Sequence, residues 1–315
     1  MRIEDYGLIG NTLTAALVSR GGSIDWLCLP AFDGGACFAA LVGGPDNGHW
    51  TIAPTNPEQT VTRAYRAKTA ILETTFSGEE GTATLIDFMP PPGSGRPRVD
   101  VVRIVRCDAG RAELALRLVL RFDYGHVVPW VQRCKVGITA IAGPDAVLFQ
   151  SQVPLRGEDL TTVATFSLRA GQSRAFCLTW FPSHLSVPRP IGAERALKRT
   201  QDWWRRWSAK ASDFGSWNEP ALRSLITLKA MTYSPTGAMV AAPTTSLPER
   251  IGGKRNWDYR YCWIRDSTLT LYALLTSGFS RKPRTGGAGC CVPRRASRRS
   301  CRSCTGCAAS GGLRS

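Results

Sequence analysis

The fold of this chain is decided by stretches such as VDVVRIVRC, residues 99–107, in which apolar and polar residues alternate. Similar runs, ELALRLVLRF, TTVATFSL and RAFCLTWF, occupy residues 113–122, 161–168 and 174–181, with Gly, Pro and Asp between them. A period of two places successive side chains on opposite faces of a strand. The pattern therefore predicts an antiparallel β-sandwich over residues 1–190.

The hydrophobic period changes to that of a helix after the predicted sandwich. Leu197, Thr200, Trp204 and Trp207 recur at helical spacing in GAERALKRTQDWWRRWSAK, and Trp203 lies beside them. This pattern predicts a linker helix within residues 191–215. Because the helix is rich in tryptophan, we expect it to pack two domains together.

A second helix is predicted after Asn218, which is the expected N-cap. Pro220 falls in its first turn, where a missing N–H group is tolerated. Leu222, Leu225 and Ile226 lie on one face of this helix, and we expect that face to be buried.

Many aromatic and charged side chains precede an apolar run in residues 255–279, RNWDYRYCWIRDSTLTLYALLTSGF. Asp266 or Ser267 can cap a helix that runs through Ser277, and Gly278 can end it. The helix would be apolar on nearly all sides, so we expect other helices to surround it.

The composition of the chain changes after about residue 280. Residues 281–315 contain nine Lys or Arg, no Asp or Glu, and almost no large apolar residues. The net charge of +16 for the whole chain therefore falls to +7 for its first 280 residues. That value is ordinary for a solvated surface, and we expect no nucleic acid as a partner.

Six of the eleven cysteines precede residue 281, mostly inside apolar or strand-like stretches and at no regular spacing: Cys28, Cys37, Cys107, Cys134, Cys177 and Cys262. This distribution favours reduced thiols and a reducing compartment over a disulfide framework. The N-terminus lacks the basic start and apolar core of a signal peptide, and no stretch is long enough for a membrane helix. The sequence therefore predicts a cytoplasmic protein.

Three long segments carry a family resemblance. They are DYGLIGNTLTAALVSRGGSIDWLCLPAFDGGACFAAL (5–41), LRSLITLKAMTYSPTGAMVAAPTTSLPE (222–249) and GGKRNWDYRYCWIRDSTLTLYAL (252–274). They closely resemble glycoside hydrolase family 15, which groups glucoamylases, glucodextranases and bacterial trehalase-like enzymes. The resemblance implies an N-terminal β-sandwich joined by a linker helix to an all-α (α/α)6 barrel, whose first part would occupy residues 216–280.

The resemblance also implies which residues contact the sugar. Trp263, Arg265 and Asp266 match the family's W-x-R-D motif at the first barrel helix, which lines the subsite for the non-reducing glucose. Arg265 and Asp266 can donate to and accept from adjacent hydroxyls, while Trp263 and Tyr259 offer flat apolar faces to a pyranose ring. The alternative is purely structural: Asp266 caps the helix and Arg265 pairs with it.

Catalysis in this family is inverting hydrolysis of α-glucosidic bonds. One carboxylic acid protonates the leaving oxygen, and a carboxylate activates water on the opposite face of the sugar. The family's catalytic glutamates lie on later barrel loops, and no position of this chain matches them. Glu249, Asp258 and Asp266 are the nearest carboxylates, but their spacing nominates no acid and base pair. We assign no catalytic residue.

The DYGLIGNTLTAALV start and SIDWLCLP are typical of bacterial trehalase-like members rather than fungal glucoamylases. We therefore expect trehalose as the α-glucoside substrate ahead of maltooligosaccharides. No cofactor or metal is expected: phosphate or Mg2+ dependence could accompany a trehalase, but no phosphate or metal motif supports either here. The alternative is a non-catalytic β-sandwich that binds carbohydrate or a protein partner.

The tail over residues 281–315 allows three interpretations. Cys301, Cys304 and Cys307 form C-x2-C-x2-C, with Cys290 and Cys291 upstream, a pattern that could hold zinc or an iron–sulfur cluster. Its arginines could instead bind nucleic acid. The third interpretation is that the tail is translated out of frame.

Codon choice favours the third interpretation. CRSCTGC can be written TGC AGA TCA TGT ACG GGC TGC, and reading from the third base gives QIMYGL; the same shift turns GCCVP into LLRA. Both strings resemble what family members carry after the first barrel helix. We therefore expect a one-base frameshift near residues 280–288, an incomplete barrel and an inactive product.

Overall fold

The computed structural model of the chain describes residues 2–93, 95–245, 250 and 252–279. Its strands are β1 Tyr6–Gly10, β2 Ala15–Ser19, β3 Ser23–Cys28, β4 Ala36–Phe38, β5 His49–Pro54, β6 Thr60–Tyr65, β7 Leu72–Ser77, β8 Gly81–Phe88, β9 Val99–Val119, β10 Trp130–Cys134, β11 Gly137–Ala142, β12 Asp145–Ser151, β13 Arg156–Glu158, β14 Thr161–Arg169 and β15 Ser173–Pro182. The helices are α1 Ala193–Ser208, α2 Asn218–Ala230 and α3 Ile264–Leu274. Glu249 and the tail over 281–315, with its cysteine pattern, lie outside the described residues.

Two antiparallel sheets share the long strand β9. In one sheet the order is β1-β2-β3-β5-β9-β14-β13, with β4 added to β3. In the other it is β6-β7-β8-β9-β15-β12-β11-β10. Every strand pairing in the described part of the chain is antiparallel. A mostly antiparallel N-terminal region followed by helices is consistent with the predicted β-sandwich and helical region.

Strand β9 corrects one sequence expectation. The runs 99–107 and 113–122 were predicted as separate strands, but they form one strand of 21 residues. Its first half pairs with β8 and β15, and its second half pairs with β5 and β14. Gly110, at φ +64°, lies between the halves, and a Cβ there would collide with the backbone carbonyl of Glu80. Glycine thus bends the chain from one sheet into the other without ending the strand.

The main core lies between the two sheets. Buried apolar side chains from both sheets form one cluster, which includes Ile9, Trp50, Phe149 and Phe176. The Trp50 ring meets the Phe149 ring edge to face, with centroids 5.2 Å apart. Such a contact joins β5 of one sheet to β12 of the other, which is the packing that defines a sandwich.

A buried ion pair lies inside this core. Arg103 on β9 and Asp87 on β8 are both fully buried, and Arg103 Nε donates to Asp87 Oδ1 at 2.7 Å. The Arg103 guanidinium also donates to the backbone carbonyls of Trp50 and Gly22. It therefore ties both sheets to the turn between β2 and β3.

Helix α1 connects the sandwich to α2. Its N-terminal half packs Ala196 and Leu197 on the outer face of the second sheet. Trp204 is fully buried, as its helical spacing predicts, in an apolar cluster that includes Leu222 and Ile226 of α2. Trp204 therefore lies where α1, α2 and the sandwich meet, and its burial stabilises that junction.

Helix α2 begins earlier than predicted. Asn218 was expected as the N-cap, but it is the first helical residue, and Trp217 is the N-cap without a side-chain bond. A 3-10 turn over Gly215–Trp217 runs directly into the helix, and Asp213 Oδ1 accepts from the Gly215 N–H at 3.0 Å. Asp213 therefore supports the turn that leads into α2, and no side chain caps the helix itself. Pro220 lies in the first turn, and Leu222, Leu225 and Ile226 are buried as predicted.

Helix α3 also begins before its predicted cap. Trp263 is the N-cap in an extended conformation, and its carbonyl accepts the first helical bond from Ser267 N–H at 2.9 Å. Asp266 and Ser267 lie inside the first turn, so the prediction that either caps the helix was wrong. After Leu274 the helix widens into a π-helical turn over Leu275–Phe279, and Gly278, at φ +89°, leaves the helical conformation where it was predicted to.

Helix α3 is held at its C-terminal end and exposed along much of its surface. The Ser212 N–H donates to the Ser277 carbonyl at 2.9 Å, and the Phe279 ring stacks on Trp207 with centroids 4.3 Å apart. Ile264 is 77% exposed and Tyr272 is 68% exposed. No helix among the described residues is long and apolar enough to cross a membrane.

The six cysteines of the described region are free thiols, and four of them, Cys28, Cys37, Cys107 and Cys177, are buried. Burial raises the pKa of the Cys177 thiol to about 12. Cys134, on the edge strand β10, is exposed. The described residues contain no cluster of three or more His, Cys, Asp or Glu that could hold a metal ion.

Candidate saccharide-binding site

The segment that precedes α3 lies against the sandwich. The Ala242 N–H donates to the Tyr259 carbonyl at 2.9 Å, and the Ala241 N–H donates to the Tyr261 carbonyl at 3.3 Å. Next to them, Nε1 of the buried Trp26 donates to the Pro243 carbonyl at 2.8 Å. These bonds connect β3, the chain after α2, and the residues that lead into α3.

Arg260 makes the densest set of contacts in this segment. It is 7% exposed. Its Nε and Nη2 donate to the Asp258 carboxylate at 3.0 and 2.6 Å. Its Nη1 donates to the Gly34 carbonyl at 3.0 Å and to the Tyr124 hydroxyl, and lies 3.5 Å from Cys28 Sγ. One guanidinium thus joins its own loop to three parts of the sandwich, a geometry that its planar fork of donors allows.

Burial and charge together set the protonation of this cluster. Burial by itself would raise the pKa of Asp258, but hydrogen bonds from the side chain and backbone of Arg260, with its charge, hold that pKa below its usual range. Burial raises the pKa of the Cys28 thiol to about 11, although the Arg260 charge opposes this. Asp258 is therefore an ionised partner of Arg260 at neutral pH and is not suited to be a general acid.

Three aromatic rings form a group at the start of α3. The Tyr259 and Trp263 centroids lie 5.3 Å apart with their planes tilted by 38°. Trp257 meets Trp263 nearly at right angles, with centroids 5.9 Å apart. All three side chains are at least partly exposed. Their faces can therefore contact the apolar face of a sugar ring from solvent.

Arg265 and Asp266 follow directly on the first turn of α3. Arg265 Nη2 lies 3.3 Å from Asp266 Oδ2, and the two side chains are 75% and 27% exposed. An ion pair this exposed contributes little to stability. Most of the Arg265 donors face solvent, so both groups retain capacity to bond hydroxyls.

Comparison with known proteins assigns the chain to a family. Residues 1–154 match the family model described as Trehalase-like, N-terminal, and residues 215–287 match Glycosyl hydrolases family 15. The trehalase of Thermoplasma volcanium is 32% identical over 281 residues, which cover 88% of this chain and 45% of that protein. The trehalase of Mycolicibacterium smegmatis is 34% identical over 309 residues, covering 89% of this chain and 45% of the relative.

The chain belongs to the trehalase-like branch of glycosyl hydrolase family 15. It spans about half the length of the curated relatives it matches. The family 15 match includes all the residues proposed from the sequence to contact sugar.

In this family 15 chain, the structure brings the predicted residues together in two pairs. Tyr259 contacts Trp263, and Arg265 contacts Asp266. Sequence reasoning missed Arg260, which joins the loop before α3 to the sandwich. The sequence DYRYCW shows that Asp258 lies two residues before Arg260. The sequence does not reveal the sandwich partners of Arg260, because they lie 136 to 232 residues away along the chain.

A separate cleft of about 310 Å3 lies beside β12, β15 and the start of α1. Its lining residues are Lys135, Val136, Gln150, Ser151, Gln152, Ala175, Cys177, Ile191, Gly192 and Ala193. The lining carries no carboxylate, so it offers no acid and base pair for glycoside hydrolysis. The candidate site of this family 15 chain is placed at the start of α3 because the residues of the W-x-R-D motif and the partly exposed rings lie there.

Proposed function

We propose that this chain is part of an α-glucoside hydrolase and that residues 257–266 bind the non-reducing glucose of its substrate. The observation that carries the proposal is the contact between two partly exposed rings, Tyr259 and Trp263, next to the exposed Arg265 guanidinium and the partly exposed Asp266 carboxylate. Aromatic faces with adjacent polar groups fit the apolar face and hydroxyl edge of a pyranose.

Trehalose is the proposed substrate ahead of maltooligosaccharides. The two relatives described above are both named trehalases, and so is the Mycobacterium tuberculosis protein, which is 32% identical over 308 residues. The proposal includes no metal or cofactor. A cytoplasmic location is proposed because the described cysteines are mostly buried free thiols.

The catalytic acid and base are proposed to lie outside this chain's described residues. Inverting hydrolysis requires two carboxyl groups roughly 6.5–9.5 Å apart on either side of the bond. Asp258 is bound by Arg260, and Asp266 contacts Arg265. With these arginine partners neither carboxylate is assigned as the acid or the base, and we propose that the described residues do not hydrolyse trehalose by themselves.

The tail over residues 281–315 is proposed to be translated out of frame. Support comes from its composition, nine basic and no acidic residues, and from the family-like strings QIMYGL and LLRA that a one-base shift produces. In frame, the same DNA would continue a helical barrel that covers the exposed side chains of α3. Burying those apolar groups would supply roughly 25 cal/mol per Å2 of stabilisation.

Replacing Trp263 by alanine should weaken trehalose binding to the full chain by about tenfold or more, because the substitution removes the ring that contacts both Tyr259 and Trp257. Isothermal titration with trehalose and maltose provides the measurement. Trp130→Ala is the matched control, since Trp130 is an exposed indole on the distant edge strand β10.

The same titration separates the two functional classes. If the Trp263 variant loses binding and the Trp130 variant keeps it, the site at α3 is supported. If the Trp263 variant binds as well as the unaltered chain, the sugar sits elsewhere, and the alternative of a carbohydrate-binding β-sandwich module is favoured. If no sugar binds at all, the proposed site is refuted for this chain.

A further inference from the structure

We propose that Arg260 is a positioning residue through which the sandwich sets the orientation of the Tyr259 and Trp263 rings. The proposal deepens the function proposed above, since it rests on those rings as the sugar platform. The geometric part, that Arg260 fixes the rings, can be tested without any sugar.

The Arg260 guanidinium is buried between its own loop and the sandwich. Its side chain is 7% exposed, and its donors reach Asp258 in its own loop and Gly34, Tyr124 and Cys28 in the sandwich. A buried guanidinium costs much free energy unless its donors are satisfied. The contacts therefore hold the loop in one position relative to the sandwich.

Tyr124, whose hydroxyl accepts from Arg260, is itself constrained by the sandwich. Tyr124 adopts the left-handed conformation at φ +59°, which a residue with a side chain rarely adopts unless its surroundings hold it. Its carbonyl accepts from Asn47 Nδ2 at 2.8 Å, and its ring lies 6.2 Å from Trp26. The residue whose hydroxyl accepts from Arg260 is thus held by contacts that do not involve Arg260.

Arg260 lies close in the chain to both rings. Arg260 directly follows Tyr259 and lies three residues before Trp263, and the carbonyls of Tyr259 and Tyr261 are bonded to Ala242 and Ala241. A shift of the guanidinium therefore moves the backbone that carries the first ring and the start of the turn that carries the second. Lysine cannot replace it, because an ammonium cannot make the forked bonds to Asp258 while also reaching Gly34 and Tyr124.

The experiment uses the full chain labelled with 5-fluorotryptophan. The 19F signal of Trp263 is identified as the one missing from Trp263→Phe. Arg260→Lys is compared with Arg111→Lys, because Arg111 forms a pair with Glu113 at the same sequence separation and the same 2.6 Å distance but is exposed. Hydrogen exchange is followed for residues 257–263 and for β9.

We expect Arg260→Lys to shift the Trp263 signal and to raise amide exchange in residues 257–263 by about tenfold, with β9 unchanged. Arg111→Lys should change neither. A Trp263 signal and an exchange rate that stay as in the unaltered chain would overturn the proposal. An equal rise in exchange across β9 would also overturn it, because that result would mean only a general loss of stability.

A second variant keeps the test decisive if Arg260→Lys does not fold. Tyr124→Phe removes only the hydroxyl that accepts from Arg260 and keeps the ring; we expect the same changes at smaller size, and their absence would contradict the proposal. Trehalose is titrated last. A failure of the unaltered chain to respond to trehalose would count against the proposed function, while the sugar-free 19F and exchange results would still decide the role of Arg260.

Discussion

Replacing Asp87 by alanine is expected to lower the free energy of unfolding of the sandwich by about 3–5 kcal/mol. The reason is that Asp87 and Arg103 are both fully buried, and the substitution leaves the Arg103 charge in the core without its carboxylate. The remaining acceptors, the carbonyls of Trp50 and Gly22, are neutral and cannot offset that charge.

Urea denaturation followed by tryptophan fluorescence measures this loss. Glu113→Ala is the matched control, because it removes the carboxylate from an exposed arginine pair on the same strand, β9. Its expected effect is below about 1 kcal/mol. Equal effects for the two variants would show that burial of the Arg103 pair has no special cost and that our description of the core is wrong.

Replacing Trp204 by alanine is expected to cost about 3–5 kcal/mol in the same assay, because it leaves a large cavity at the junction of α1, α2 and the sandwich. The indole packs against Trp203 and Trp207, with centroids 4.7 and 6.1 Å away, and shares a buried apolar cluster with Leu222 and Ile226. The loss should fall mainly on the helices, since the main sandwich core does not include Trp204.

Hydrogen exchange locates that loss. In Trp204→Ala, the amides of α1 and α2 should exchange much faster, while those of β9 remain protected. Trp217→Ala is the control, since Trp217 is an exposed indole at the start of α2. We expect it to change the free energy of unfolding by less than about 1 kcal/mol. Faster exchange of β9 equal to that of the helices would contradict this separation of the sandwich from the helices.

Local patterns were sufficient to predict the classes of the elements. Alternation at period two predicts strands at 161–168 and 174–181, which the structure confirms as β14 and β15. Helical spacing predicts the burial of Leu197, Trp204 and Leu222. These signals are readable because they depend on the side chains within a single element.

The errors concern the ends of elements. Gly110 resembles a turn that ends a strand, but it bends β9 between two sheets. Asp266 and Asn218 resemble N-caps, yet the chain enters each helix one or more residues earlier because an upstream turn or an extended Trp263 already provides the entry. Which side chain caps a helix depends on the approach of the preceding backbone, and that is set by tertiary contacts.

The sequence likewise identifies only part of the candidate site. The family motif identifies Trp263, Arg265 and Asp266, and their roles in sugar binding stay predictions until a ligand is measured. Arg260, which anchors the motif, was not identified. Its partners Tyr124 and Gly34 are distant in sequence and become visible only when the sandwich folds beneath the loop.

The most direct measurement is to sequence the gene across codons 275–315 and, where a base is missing or extra, to assay the protein of the restored frame against trehalose and maltose. We expect an altered base near codons 280–288, hydrolysis of trehalose ahead of maltose by the restored protein, and none by the 315-residue chain. A confirmed sequence whose downstream DNA encodes no helical barrel in any frame would contradict both the frameshift and the proposal that this chain is part of a trehalase-like hydrolase.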